Sequence, residues 1–384
     1  MEQTFLPYTR QQITEEDIEA VARSLRGKLI TRGETVEAFE KAVAEGCGAR
    51  FAVAFNSGTA ALDAAYFAAE VEAADRVFTT PNTFIGTVVG ALKAKAQLKL
   101  VDIDETGNLS LEKLSDCLNL PASRGRDIVV PVHFGGIAVD MQALDRMIRS
   151  PETVVIEDAA HAIGSTYPSG EKVGSCAYSL MTIFSFHPAK QITTGEGGMV
   201  TTNCPEHYER LKLYRNNGIV RDKNFPWFYE ARHVTGNYHL TDFQAALGLS
   251  QFQRLDEIVK QRGELAKLYR EKLAGCAGVS LFPEACDPRT CYHLFPAFID
   301  PETYGVPKKE LMAKLEAKGI GTQVHYIPLY KHPIVNEGKE LAPYFPAMEA
   351  FFARELSLPF YVGMSESDVD IVVEALKSYS ILGG

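Results

Sequence analysis

The chain has 384 residues, a length that suggests two domains, or one large and one small, and its 46% hydrophobic and 23% charged residues are typical of a soluble globular protein. Its formal net charge of −10 argues against nucleic acid or an anionic membrane as a partner, and an anionic substrate would need a local cluster of cations. The seven cysteines form no CxxC pair, so neither a disulfide framework nor a metal site is expected. The N-terminus lacks the pattern of a secretion signal and no apolar run approaches the ~18 residues of a membrane span, so we expect a cytoplasmic protein.

From about residue 50 the chain alternates short β-rich segments with amphipathic helical segments. The expected strands are 51–55, 76–80, 98–102, 128–133, 154–157, 178–186 and 199–203. The helices expected between them include 59–71, 84–95, 109–118 and 140–149. This alternation predicts an α/β protein with a mainly parallel seven-stranded sheet, whose ligands bind at the carboxyl ends of the strands.

The last third of the chain predicts a smaller α+β unit. A long helical segment, 243–274, has the pattern of a connector between domains. Beyond it we expect strands at 291–299 and 322–326 and helices at 307–318 and 365–379. The predicted division is a large domain at 1–255 and a small C-terminal domain at 256–384.

Lys190 lies between the apolar strand 178–186 and a glycine-rich return at 195–198. A lysine at the mouth of an apolar sheet is easily desolvated, and desolvation lowers the pKa of the amine and makes it nucleophilic. The alternative is an ordinary solvated loop lysine. Residues at other strand ends of the same sheet help to decide between a nucleophilic and a solvated lysine.

Three of those strand ends carry groups that a cofactor-binding lysine would need. Asp158 ends an apolar strand and is suited to pair with a protonated heterocyclic nitrogen, with His161 one helical turn further on the same face. Gly58 and Thr59 open a helix, where exposed N–H groups can bind an anion. Phe84 follows a third strand. The structural alternatives are a helix cap for Asp158, an N-cap role for Ser57 or Thr59, and core packing for the phenyl ring of Phe84.

A nucleophilic lysine, an acid, an anion site and an aromatic ring at neighbouring strand ends are together the groups that pyridoxal 5′-phosphate (PLP) requires. Six longer motifs add to this pattern: LITRGETVEAFE (29–40), NSGTAAL (56–62), EDAAHA (157–162), SFHPAKQITTGEGG (185–198), GNYHLTDFQAA (236–246) and VHYIPL (324–329). With these motifs the chain resembles, over essentially its whole length, the DegT-type nucleotide-sugar aminotransferases of the fold-type I PLP superfamily. The resemblance implies that superfamily's large and small domains.

The resemblance also implies roles around the cofactor ring. Lys190 would bind the cofactor covalently, and Asp158 would keep the ring nitrogen protonated. His161 would lie near the phenolic oxygen, and Phe84 would stack on the ring. Some members of the family are sugar dehydratases with histidine in place of the lysine, so Lys190 implies a transaminase.

The resemblance places the cofactor's phosphate between two chains. In one subunit the backbone N–H groups of Gly58 and Thr59 and the hydroxyl of Ser185 would bind it. Asn237 would reach it from the other subunit, so the resemblance implies a homodimer with shared active sites. Two positions depart from the family pattern: Glu34 replaces a common proline, and His239 replaces a common arginine and so removes one possible cation.

The segments 7–11, 29–33 and 185–198 are most similar to those of the members that act in pseudaminic acid biosynthesis. The implied reaction is amination at C4 of a UDP-linked 4-keto-6-deoxy-N-acetylhexosamine, with L-glutamate as the donor. The residues considered for substrate contact are Tyr8, Lys28, Arg32, Arg221, Arg232, His325 and Tyr326. The cations among them, His325 included, are candidates for the diphosphate, although each alone is compatible with an ordinary surface charge. Amination at C3 or C4 of a dTDP- or GDP-linked keto sugar, and a non-enzymatic sensor or scaffold, are the alternatives.

Overall fold

The computed structural model describes residues 5–120, 125–222, 224, 225 and 227–380, with only the backbone considered at 285–287. Seven strands form the central sheet: β1 (Phe51–Phe55), β2 (Arg76–Thr79), β3 (Gln97–Leu100), β4 (Asp127–Val130), β5 (Val154–Asp158), β6 (Met181–Ser185) and β7 (Gly198–Thr202). Their order is β1-β7-β6-β5-β4-β2-β3, and only β7 runs antiparallel to its neighbours. The predicted seven-stranded, mainly parallel sheet is therefore confirmed.

Helices precede the sheet, connect its strands and follow it. They are α1 (Glu15–Leu25), α2 (Glu34–Cys47), α3 (Gly58–Ala68), α4 (Val89–Lys93), α5 (Leu111–Leu118), α6 (Met141–Met147), α7 (Pro205–Arg215), α8 (Asp242–Phe252) and α9 (Leu255–Leu273). A two-stranded ribbon of β8 (Ile219–Arg221) and β9 (Tyr229–Ala231) lies between α7 and α8. In the described part of the chain no helix is both long and apolar enough to cross a membrane.

The C-terminal part has its own antiparallel sheet, made of β10 (Val279–Leu281), β11 (Pro296–Ile299) and β12 (Glu355–Ser357). Its helices are α10 (Pro301–Tyr304), α11 (Lys308–Ala317), α12 (Pro333–Asn336), α13 (Pro346–Arg354) and α14 (Glu366–Tyr379). The strand predicted at 322–326 is reduced to one bridge, between Gln323 and Ser357. The side chains of this segment instead contact residues near Lys190, as described below.

The long helix predicted at 243–274 is wrong, because the chain forms two helices that meet at Gln253 and Arg254. At the break, the guanidinium of Arg254 lies 2.8 Å from the buried carboxylate of Asp17, which also accepts hydrogen bonds from Ser250 and Gln251. These contacts hold the end of α8 against α1. No proline or glycine marks the break in the sequence, so the local pattern reads as one helix.

The α9 helix contributes to two hydrophobic cores. Leu255 and Ile258 pack in the core of the central sheet, whereas Leu265 and Tyr269 pack in that of the C-terminal part. Leu6, near the N-terminus, also packs in the C-terminal core. The division at 255/256 remains a prediction.

Candidate active site

Lys190 lies in the loop between β6 and β7, and its Nζ is 3.4 Å from Nε2 of His293. The side chain is partly exposed along its length. Burial of the amine lowers its pKa from 10.5 to about 8, and the negative charge of Asp158 opposes this shift. An amine with this pKa has a useful neutral fraction near pH 7, about a tenth of the molecules. The desolvation predicted from the position of Lys190 is thus present.

Asp158 is the last residue of β5 and is only 4% exposed. Its Oδ2 accepts a hydrogen bond from the hydroxyl of Thr87 at 2.6 Å, and its Oδ1 accepts one from the backbone N–H of Ala160 at 3.0 Å. The hydroxyl oxygens of Thr83 and Thr87 lie 2.6 Å apart. Because the hydroxyl of Thr87 donates its hydrogen to the carboxylate, Thr83 is the donor in this second bond. Two bonds orient a carboxylate but leave it room for a further donor. The residues after Asp158 form turns, so it is not the cap of a following helix.

His161 is held in one neutral tautomer. Its Nδ1 accepts a hydrogen bond from the backbone N–H of Gly135 at 3.2 Å, so its proton is on Nε2, which lies 2.8 Å from the hydroxyl oxygen of Tyr326. Burial and the charge of Lys190 hold the pKa of His161 well below 6.5. Since the tyrosine oxygen accepts from the histidine, its own hydrogen can be donated to another group.

The start of α3 and the end of β6 are in contact at Gly58. A β-carbon at this position would come within 2.9 Å of Cβ and 3.0 Å of Oγ of Ser185, so only glycine allows this approach. Ser57 caps the N–H of Ala60 at 3.0 Å, and the N–H groups of Gly58 and Thr59 are the first two of the helix, which have no intrahelical acceptor. Unsatisfied helix N–H groups beside a hydroxyl are suited to bind a phosphate.

Phe84 and Tyr326 present aromatic rings beside these groups, with centroids 6.4 Å apart. The phenyl ring of Phe84 is 57% exposed, so it is not core packing. An exposed ring here is available to stack on a planar ligand.

His325 is buried, and its side chain is held through Ser357. The serine hydroxyl donates to Oε1 of Glu355 at 2.7 Å and therefore accepts from Nδ1 of His325 at 2.8 Å. Burial and the charge of Lys190 lower the pKa of His325 to about 3. The ring is neutral at pH 7, so the prediction that His325 is a cation is wrong. Its ring centroid lies 5.8 Å from that of Tyr8.

The other predicted cations lie elsewhere. Arg32 and Arg221 line an open cleft of about 1380 Å³ beside α2 and α7. Lys28 lines a second cleft of about 700 Å³ between α1 and α8. Arg232 forms an exposed ion pair with Glu230 at 2.8 Å. Lys190 lines neither cleft, so the single chain does not gather these cations around the amine.

Asn237 is exposed, and its backbone carbonyl accepts a hydrogen bond from Asn56 Nδ2 at 3.5 Å. It lies two residues before His239, which lines the same cleft as Arg32. Burial, together with the charges of Arg215 and Arg32, lowers the pKa of His239 to about 4. The contact of Asn237 with a second subunit remains a prediction.

Three residues of the site were not identified from the sequence: Thr87, Gln191 and His293. Gln191 Nε2 lies 2.7 Å from the carbonyl oxygen of His161 and 2.8 Å from Sγ of Cys291, and so ties the lysine loop to two other segments. His293 lies in the segment predicted as a strand, of which only Pro296–Ile299 pairs. Its contact with the lysine spans 103 positions, and no local pattern signals it.

The sequence profile of the DegT/DnrJ/EryC1/StrS aminotransferase family matches residues 11–377. The chain belongs to this family. Among related family members, the Bacillus subtilis spore coat polysaccharide biosynthesis protein SpsC is 36% identical over 97% of this chain and 96% of SpsC. The UDP-4-amino-4,6-dideoxy-N-acetyl-β-L-altrosamine transaminase of Campylobacter jejuni is 35% identical over 97% of both chains.

Solved structures of similar aminotransferases agree with this assignment. PseC of Helicobacter pylori, an aminotransferase of pseudaminic acid biosynthesis, superposes with a TM-score of 0.88 and 27% identity, covering 98% of this chain and 99% of PseC. Spr1654 of Streptococcus pneumoniae in its pyridoxamine phosphate form gives a TM-score of 0.88 and 25% identity over 98% of this chain and all of that chain (100%). The predicted family, fold type, PLP cofactor and aminotransferase activity are thereby confirmed, and the sensor or scaffold alternative is set aside.

The described residues fit PLP. The glycine contact at Gly58 leaves room at a helix start for a phosphate, and the exposed ring of Phe84 offers a stacking surface. The half-satisfied carboxylate of Asp158 suits a ring N–H, and the amine of Lys190 suits an aldehyde carbon.

Proposed function

We propose that this aminotransferase moves an amino group from L-glutamate to C4 of a UDP-linked 4-keto-6-deoxy-N-acetylhexosamine, in the cytoplasm. The observation that carries the reaction type is the buried amine of Lys190, with a pKa of about 8 and within electrostatic reach of Asp158. The choice of sugar is supported by the C. jejuni relative, which is named for a UDP-linked 4-amino-4,6-dideoxy sugar.

The residues around the amine have separate roles in the proton transfer of the reaction. When bound, PLP supplies an electron sink for charge that develops on the carbon bearing the amine. Lys190 Nζ takes a proton from that carbon in its neutral form and gives it back in its protonated form. Asp158, oriented by Thr87, holds the proton on the ring nitrogen. The neutral His161 leaves the hydroxyl hydrogen of Tyr326 free to be donated to an oxygen of the cofactor or the substrate.

The cations proposed for the diphosphate, Arg32 and Arg221, line a different cavity from the small one that Lys190 lines together with Arg10 and Arg262. In the proposed homodimer they come from the partner, because Asn237 lies next to the cleft that Arg32 and Arg221 line. If the segment that carries Asn237 reaches the cofactor phosphate of the other subunit, it would also bring these arginines towards the nucleotide. Arginine binds phosphate oxygens bidentately, which makes it suited to this contact.

Amination of another keto-sugar nucleotide is the second candidate. It is favoured by SpsC, which is as similar to this chain as the C. jejuni transaminase and is named for spore coat polysaccharide biosynthesis. The cofactor site would be the same for both reactions, because the chemistry at the amine does not depend on the nucleotide.

A direct competition separates the two candidates. The protein, first converted to its aminated form with glutamate, is given an equimolar mixture of UDP-, dTDP- and GDP-linked keto sugars. We expect the UDP-linked 4-keto sugar to be consumed first and to carry nitrogen at C4. Preferential consumption of a dTDP- or GDP-sugar, or nitrogen at C3, would overturn the substrate assignment and leave the aminotransferase activity in place.

A further inference from the structure

His293 is buried beside Lys190 and is held there by its backbone. Its N–H donates to the carbonyl of Gly135 at 2.9 Å, and its own carbonyl accepts from the guanidinium of Arg262 at 2.9 Å. The same guanidinium donates to the carbonyl of Tyr292 at 2.5 Å. Gly135 has φ 63°, a left-handed conformation that favours glycine. The backbone that carries the imidazole is therefore held on both sides.

The two nitrogens of this ring have different surroundings. Nε2 lies 3.4 Å from Nζ of Lys190, whereas Nδ1 is buried and has no hydrogen-bond partner among the described residues. Buried polar atoms in native proteins are usually paired, so an unpaired one needs an explanation. A histidine retained only for packing would not be expected to leave one nitrogen unpaired and present the other to the reactive amine.

His161 provides a comparison within the same site, since its ring centroid lies 4.3 Å from that of His293. The N–H of Gly135 at Nδ1 fixes the tautomer of His161. No such donor fixes the tautomer of His293, so its proton can be on either nitrogen. Nε2 of His293 can then accept a hydrogen bond from a protonated amine or donate one to a neutral amine.

We propose that His293 is a positioning residue for Lys190, which holds the amine in place in both of its protonation states by exchanging its own tautomer. This inference rests on the proposed role of Lys190, whose amine must gain and lose a proton in each half of the reaction. A fixed donor could not bond to the protonated amine, and a fixed acceptor would take an N–H of the neutral amine without orienting its lone pair. No covalent bond changes at His293.

The electrostatic surroundings keep this imidazole neutral, as the proposal requires. Burial lowers the pKa of His293 well below 6.5, and the positive charges of Lys190 and Arg262 add to the effect. A doubly protonated ring could only donate, whereas a neutral ring can donate or accept.

The first test compares His293→Gln with His293→Asn in the full-length protein stripped of cofactor. The amide of glutamine ends about where Nε2 lies and can present either its oxygen or its NH₂ group, whereas that of asparagine is one methylene too short. We expect His293→Gln to attach PLP to Lys190, trapped with borohydride, within about tenfold of the wild-type rate, and His293→Asn about a hundredfold more slowly. The glutamate half-reaction should show the same order, with little change in KM.

Thermal unfolding of both variants is the control, and we expect similar melting temperatures. Equal rates for the two variants, or wild-type rates for both, would overturn the proposal. If the pyridoxyl label is on Lys190 but both His293 variants attach PLP at the wild-type rate, only this inference is contradicted. A label on a different lysine of the wild-type protein removes the role of Lys190 in the proposed function, on which this inference rests.

The second test needs no stable variant of the buried residue. In wild-type protein labelled with ¹⁵N-histidine and free of cofactor, we expect Nε2 of His293 to be unprotonated below about pH 8 and protonated above it, following the amine of Lys190. His161 should keep its proton on Nε2 throughout, as an internal control. A fixed tautomer of His293 across this range contradicts the proposal.

Discussion

Thr87 donates its hydroxyl hydrogen to Oδ2 of Asp158 at 2.6 Å, across 71 positions of sequence. The carboxylate that we propose for the cofactor's ring nitrogen is thus oriented by a residue that follows a different strand. Thr83 donates in turn to Thr87, so the three side chains form one buried chain of hydrogen bonds.

Replacement of Thr87 by valine should lower kcat by about 10- to 100-fold, because a hydrogen bond to a charged group contributes roughly 1.5–3 kcal/mol. PLP should still bind, since the phosphate contacts are untouched. Thr87→Ser keeps the hydroxyl and serves as the matched control. Wild-type kcat in the valine variant would show that the hydroxyl does not orient Asp158.

The contact between Gly58 and Ser185 predicts the effect of one added methyl group. In Gly58→Ala the new Cβ would lie 2.9 Å from Cβ of Ser185, so the helix start or the serine must move. We expect weaker PLP binding in equilibrium titrations, by about tenfold or more. Ser185→Ala, which removes one hydroxyl contact without a clash, should weaken binding less. Unchanged affinity for PLP in both variants would mean that the phosphate does not bind at this helix start.

The pKa of Lys190 predicts how covalent attachment of PLP depends on pH. Only the neutral amine attacks an aldehyde, so the rate should rise with pH and level off above about pH 8, well below the 10.5 of an ordinary lysine. Because the negative charge of Asp158 raises this pKa, Asp158→Asn should shift the profile to lower pH. The same variant should bind PLP yet lose most of its turnover. A midpoint near 10.5 in the wild-type protein would mean that the amine is solvated.

The shared site predicts complementation between two inactive variants. If Asn237 reaches the partner's phosphate, a mixture of Lys190→Ala and Asn237→Ala should regain activity, because a heterodimer contains one site with both residues intact. Mixing each variant with itself is the control. Lack of recovery after confirmed subunit exchange would mean that each site is built from one chain.

The sequence was sufficient to locate Lys190 and Asp158, because each follows an apolar strand and parallel strands bring their carboxyl ends to one edge of a sheet. Gly58 and Ser185 are predictable for the same reason. Each of these residues carries its signal in its own strand and the turn that follows.

Residues that reach the site by tertiary contact could not be predicted in this way. Thr87 follows Phe84 in a segment without distinctive polarity, and His293 lies in a segment whose apolar pattern suggested only a strand. His325 was expected to be a cation, but its burial holds its pKa at about 3. This burial cannot be inferred from the neighbouring residues in the sequence. The cations Arg32 and Arg221 were grouped with the site by resemblance, whereas in the single chain they line a separate cleft.

Borohydride reduction of the protein loaded with PLP, followed by peptide mapping, tests most directly whether Lys190 is the amine that carries the reaction. We predict a single pyridoxyl label, on Lys190, and no label in Lys190→Ala, which should still bind PLP through its phosphate and ring contacts. A label on any other lysine, or none in the wild-type protein, would contradict the account.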